Sequence, residues 1–147
     1  MKLKPRTDSE TLESGKDFQP KFDENGLIPC ICQDADSGEI LMFAFMNETA
    51  LEETLKSRTA VYFSRSRQKL WKKGETSGHL QHIVDIRTDC DQDVILIRVK
   101  ADGPACHNGY RSCFYRDILK PEDDETFVQL SLGDREKLFD PKEVYKK

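Results

Sequence analysis

Asp89, Cys90, Asp91 and Asp93 stand within five consecutive positions, between Thr88 and Val94. Carboxylates and a thiol set side by side suggest metal chemistry. In an extended backbone alternate side chains share a face, so Asp89, Asp91 and Asp93 would point one way and Cys90 the other. Three carboxylates on one face repel one another unless a cation sits among them. Oxygen donors of this kind suit Mg²⁺ or Ca²⁺, and the thiol suits Zn²⁺. The plainer reading of the same residues is a solvated acidic turn beside a small buried cysteine.

Two further segments carry chemistry. Cys106 and Cys113 bracket a glycine-containing loop, with His107 next to the first. With Cys90 they make three thiolates, a set that leaves the fourth position of a tetrahedral zinc open to water. Hydrolysis needs that open position, because zinc lowers the pKa of bound water to about 7. His107 is the candidate proton shuttle, since an unperturbed histidine titrates near pH 6.5; a spare zinc ligand is its other reading. The second segment gathers Arg65, Arg67, Lys69, Lys72 and Lys73 around the only tryptophan, Trp71, with Ser66, Glu75, Thr76 and Ser77 among them and glycines at 74 and 78. Cations neutralise phosphate, hydroxyls and amides near glycine donate to it, and Trp71 offers a stacking face for a base. Against this stands an exposed cationic loop whose tryptophan covers a core edge. His79, flanked by Gly78, reads either as a site residue or as a histidine satisfied locally.

These side chains need a scaffold. A chain of 147 residues forms one domain, but 37% apolar and 34% charged residues make a lean core. A lean core with a functional metal goes with oligomerisation. The net charge of −4 argues against a nucleic-acid partner. Residues 1–20 lack the apolar core of an export signal, and no apolar run approaches the ~20 residues of a membrane span. Five cysteines, an odd number, then favour metal or catalytic use in a reducing cytoplasm over disulfides.

Residues 1–20 are polar and without periodicity and read as a flexible arm, its end pinned by Phe18 and Phe22. Residues 27–33 and 40–46 read as strands joined by the turn cluster 34–39, with Pro29 confining the first to an edge or to its opening residues. Cys30 and Cys32 share a strand face and read as core. Residues 47–56 read as a helix with Asn47 as N-cap and a Leu51–Leu55 stripe. Residues 59–64, 79–87 and 94–99 read as further strands, which puts the acidic triplet at a hairpin tip. A short strand is expected at 127–130, and the charged end of the chain is read as helical or loose.

The segments LMFAFMN, SRSRQKLWKKGETSGHLQ, DCDQD and GPACHNGYRSCF, in this order, resemble the phosphoribosyl-AMP cyclohydrolase family of histidine biosynthesis. The resemblance spans roughly residues 22–118. It implies a β-dominated α+β fold, a twisted mixed sheet with one or two short helices, acting as a homodimer. Residues 21–120 would be the catalytic domain, and 121–147 an extension packed on it. Carried over position by position, the zinc ligands are Cys90, Cys106 and Cys113, supplied from both chains near the interface, and the magnesium ligands are Asp89, Asp91 and Asp93. The implied reaction adds water at C6 of the N1-phosphoribosylated adenine and breaks the N1–C6 bond without releasing ammonia. The basic segment, with Arg65, Ser66, Arg67, Trp71, Lys72, Lys73, Glu75, Thr76 and Ser77, would hold the substrate; His107 and His79 are the catalytic candidates.

Two other readings compete. Zinc-dependent nucleotide deaminases pair P-C-x-x-C with H-x-E, whereas here six residues separate Cys106 from Cys113 and no H-x-E occurs. A structural-zinc module that docks phosphorylated partners through residues 65–73 would need a closed fourth ligand, such as His107 or Cys32.

Overall fold

Ile28, Cys30 and Cys32 are fully buried and alternate with half-exposed neighbours, so β1 (Ile28–Asp34) turns a strict period-two face to the core. A computed structural model describes residues 1–139. β2 (Ile40–Met46) returns antiparallel to β1, pairing Cys30 with Ala44 and Cys32 with Met42. On its other side β1 runs parallel to β6 (Ile95–Ala101), whose Ile95, Ile97 and Val99 are buried beside the same face. With β3 (Val61–Ser64), β4 (Lys69–Lys72) and β5 (Gln81–Thr88) the sheet has the order β4-β3-β2-β1-β6-β5. It curls enough for Thr59, just before β3, to bridge to His82 of β5. This is the β-dominated mixed sheet expected. Each large aliphatic side chain enclosed in it contributes about 1.5–3 kcal/mol by leaving water.

Pro29 does not put β1 at an edge. The strand is central, and pairing with β6 begins at Cys30, so the residue lacking an N–H comes before that ladder. The stretch 69–72, read from sequence only as part of a basic segment, is an edge strand paired with β3 after a turn in which Gln68 is left-handed (φ +52°). Its lysines hide any strand alternation, yet lysine on an edge is how sheets discourage further pairing.

Between β2 and β3, α2 (Glu48–Ser57) starts at Asn47, whose side chain accepts from the Ala50 amide at 2.8 Å. Leu51 is fully buried, and the Val61 amide donates to Thr54 Oγ1 at 3.0 Å, fastening the helix to β3.

Residues 1–20 carry the helix α1 (Ser9–Ser14), capped by Asp8, with Leu12 buried. The segment expected as a flexible arm is thus held to the body, and Leu3, Phe18 and Phe22 pack on the core. Apolar residues this widely spaced leave no helical period to read. Beyond the sheet, β7 (Asp117–Ile118) pairs with β8 (Leu130–Ser131), while Phe127, expected in a strand, is 93% exposed. The charged end, 140–147, lies outside the described residues.

Candidate functional site

The β5–β6 hairpin presents the acidic residues, but not as an extended strand. Residues 89–94 form a turn: the Gln92 amide donates to the Asp89 carbonyl (3.1 Å), and the Asp93 amide donates to Asp89 Oδ1 (3.0 Å). Gln92 adopts a left-handed backbone (φ +56°) and is buried. Turning, rather than alternation, gathers Asp89, Asp91 and Asp93, whose ligand oxygens lie within 4.8 Å of one another. Hydrogen bonding with Asp89 and Asp91 pushes Asp93 up to about 6. Burial acts to raise Asp89, but hydrogen bonds from Asp93 and Asp91 outweigh it and hold that carboxyl below its usual value. Carboxylates this close, with their titration driven apart, are a donor set that suits a divalent cation.

The thiol loop follows β6. Ala105 N donates to Arg111 O (3.0 Å), Cys106 N to Tyr110 O (3.2 Å) and Gly109 N to Cys106 O (2.9 Å). Gly109 has φ +97°, and a Cβ there would lie 2.3 Å from the Phe139 carbonyl, so glycine is required. The loop is tied to the start of β2 through Cys113 N to Leu41 O and Ser112 Oγ to Ile40 O, both 2.7 Å. This brings Cys113 against Cys106. Cys113 keeps solvent contact as a residue, but burial and then the neighbouring Cys106 push its thiol up to about 11. Two adjacent thiols in such a setting ionise together only with a cation, and their chemistry fits zinc.

Cys90 is not with them. Among the described residues the acidic triad is the one group of three potential ligands close enough to share an ion. Cys90 belongs to the turn before β6, whereas the Cys106 loop leaves its other end; seven strand residues span about 20 Å. Cys90 is exposed and borders a cleft of about 380 Å³ walled by Leu12, Lys16 and Phe18.

The basic segment divides. Arg65, Ser66 and Arg67, on the β3–β4 turn, border a cleft of about 410 Å³ with Phe43, Phe45 and Trp71, and the Arg65 guanidinium sits 4.2 Å over the Phe45 ring. Trp71 also packs on Tyr62 at 5.5 Å. Lys72, Glu75 and Thr76 are exposed, and Ser77 Oγ accepts from the His79 amide. Lys73 turns inward: it is 6% exposed, and its ammonium donates to the Ala105 carbonyl. Burial lowers its pKa, opposed by the nearby thiols of Cys113, Cys106 and Cys32. His79 packs its ring against Phe139 (5.5 Å) and against Gly103, where a Cβ would come within 2.8 Å; His107 is exposed beside Cys106. Cys32 stays in the core, its thiol pushed up to about 12 by burial.

Sequence reasoning missed the inward course of Lys73 and the burial of a left-handed Gln92. A glutamine in a tight turn between aspartates was the one available signal for the latter.

Comparison with known proteins matches residues 42–115 to a family model described as phosphoribosyl-AMP cyclohydrolase. Relatives carrying that name include one from Nitrobacter winogradskyi, 50% identical over 96% of this chain and 95% of its own length. Another from Bradyrhizobium diazoefficiens is 51% identical over 95% and 97%, and one from Rhizobium rhizogenes is 52% identical over 97% and 95%.

Proposed function

The chain belongs to the phosphoribosyl-AMP cyclohydrolase family, and on that premise we propose that it works as a zinc- and magnesium-dependent homodimer. The reaction is hydrolytic opening of the purine ring: water adds at C6 of the N1-substituted adenine, and the N1–C6 bond breaks. The ammonium-equivalent nitrogen stays in the product.

One observation carries the metal reading: two thiols, Cys106 and Cys113, meet while a third, Cys90, stands at the far end of β6. Cys106 and Cys113 of one chain with Cys90 of a second copy make the three-thiolate set. Zinc so bound supplies a water of lowered pKa. The second copy has a surface to meet. On the sheet face opposite the core, Ile31, Ile40, Phe43 and Phe114 line a wholly apolar hollow of about 450 Å³, with Phe43 and Phe114 about half exposed.

The chain's own residues then divide the work. His107, open to solvent beside Cys106, exchanges the proton, and His79 lines the same loop region. Asp89, Asp91 and Asp93 would hold magnesium, which would supply positive charge towards a substrate phosphate. Arg65, Ser66 and Arg67 hold the phosphoribosyl arms, Trp71 offers a ring face, and Lys72, Glu75, Thr76 and Ser77 contribute further polar contacts to the substrate. Lys73 pins the carbonyl ahead of Cys106. No helix among the described residues is long and apolar enough to cross a membrane.

Turnover of phosphoribosyl-AMP, followed by ultraviolet absorbance with and without chelator and with an ammonia assay, tests the reading. Chelator-sensitive turnover without ammonia is expected; ammonia release would indicate a deaminase. A Cys106→Ser protein with full zinc and full turnover would remove the thiolate assignment.

A further inference from the structure

The N-terminal segment and the acidic turn are joined by a set of hydrogen bonds centred on one side chain. Gln92 Nε2 donates to the Leu12 carbonyl at 2.9 Å, and Gln92 Oε1 accepts from the Gln19 amide at 2.6 Å. The Gln92 carbonyl accepts from the Lys21 amide at 2.8 Å. Next to it, the Arg6 guanidinium donates to the carbonyls of Asp91 (2.5 Å) and Gln19 (3.2 Å). Gln92 is 5% exposed, so its amide has no water to fall back on.

The backbone of Gln92 makes these bonds informative. Its φ of +56° lies in the left-handed region, which residues with a Cβ avoid. Glycine or asparagine would take that position more readily. A glutamine held there needs contacts that outweigh the preference, and the bonds to residues 12, 19 and 21 are those contacts. The same left-handed step closes the turn and sets the oxygens of Asp89, Asp91 and Asp93 within 4.8 Å.

We propose that Gln92 is a positioning residue: gripped by residues 6–21, it holds the 89–93 turn in the shape that gathers three carboxylates for a divalent cation. The proposal rests on the cation reading given above, and the experiment separates the two. The full-length, zinc-loaded protein is titrated with Mn²⁺, free ion being followed by electron paramagnetic resonance, and limited proteolysis reports on residues 1–20. Asp91→Asn is the control for the cation itself. Gln92→Gly removes the side-chain bonds yet accepts the left-handed backbone. It should weaken Mn²⁺ binding by about tenfold and expose the segment to protease. Arg6→Ala, an exposed change that leaves the core intact, should weaken binding by about threefold, and it decides the matter if Gln92→Gly fails to fold. Native Mn²⁺ affinity in the folded Gln92→Gly protein, or in Arg6→Ala where that variant must decide, overturns the grip and leaves the cation site standing. No Mn²⁺ binding by the native protein, or unchanged binding in Asp91→Asn, overturns the cation reading and the grip with it.

Discussion

The ammonium of Lys73 donates to the carbonyl of Ala105, the residue immediately before Cys106. This contact links the end of β4 to the thiol loop across 32 positions of sequence. It also sets a buried positive charge beside two thiols whose metal-binding form is negative.

Replacing Lys73 with Met removes both the donor and the charge. Zinc affinity should fall by about tenfold or more, since a bond to a charged group and a satisfied buried carbonyl are lost together. Competition with a zinc-chelating dye measures it. Unchanged zinc affinity with a raised KM would make Lys73 a substrate contact instead.

The acidic turn has a pH signature in metal-free protein. Asp93 titrates at about 6 in the folded state, above its ordinary 3.8. A carboxyl raised on folding favours the fold when protonated, so its contribution is full below pH 3.8 and is lost as pH rises towards 6. Asp89 is shifted the other way, and its contribution fades only below pH 3.8. Thermal melts in chelator should therefore lose stability between pH 4 and 6, modestly because solvent screens the turn. Asp93→Asn should flatten that slope, and so should added Mg²⁺.

A site shared between two chains can be rebuilt from two dead proteins. Cys90→Ser and Cys106→Ser should each be inactive. Mixed and refolded together, half of the dimers pair one of each, and one site in each of these keeps all three thiols. About a quarter of native activity should return. No recovery would place all three ligands in one chain. Phe43→Asp, on the apolar face, should give a monomer in sedimentation and lose zinc.

Arg65 and Arg67 flank the cleft beside Trp71. Arg67→Ala should raise KM about tenfold through loss of a charge-assisted phosphate contact, with kcat little altered. Arg65→Ala should cost somewhat more, because Arg65 also covers the Phe45 ring. Steady-state kinetics over a range of ionic strength would separate the two terms.

Much of the scaffold was readable in advance because it is local. Apolar runs at 27–33 and 94–99, bounded by turn residues or acidic residues, mark strands, and Asn47 marks the start of a helix. Turn residues at 34–39 mark a hairpin, and the acidic triplet falls at a tip because apolar strands stand on both sides of it. Lys69–Lys72 was missed as a strand because an edge strand needs no apolar face, and α1 because a short helix with one buried leucine shows no period.

The sequence by itself determined which donors exist and their order along the chain: three aspartates, three thiols, a basic turn and the strands between them. Those depend on residue type and spacing over a few positions. Only the tertiary structure decided that Asp89, Asp91 and Asp93 converge through a left-handed Gln92, that Lys73 faces the thiols, and that Cys90 stands apart from Cys106 and Cys113. Each of these depends on segments distant in sequence closing on one another, Gln92 on Leu12 and Lys73 on Ala105, and such closures follow from how the whole sheet curls and buries its face.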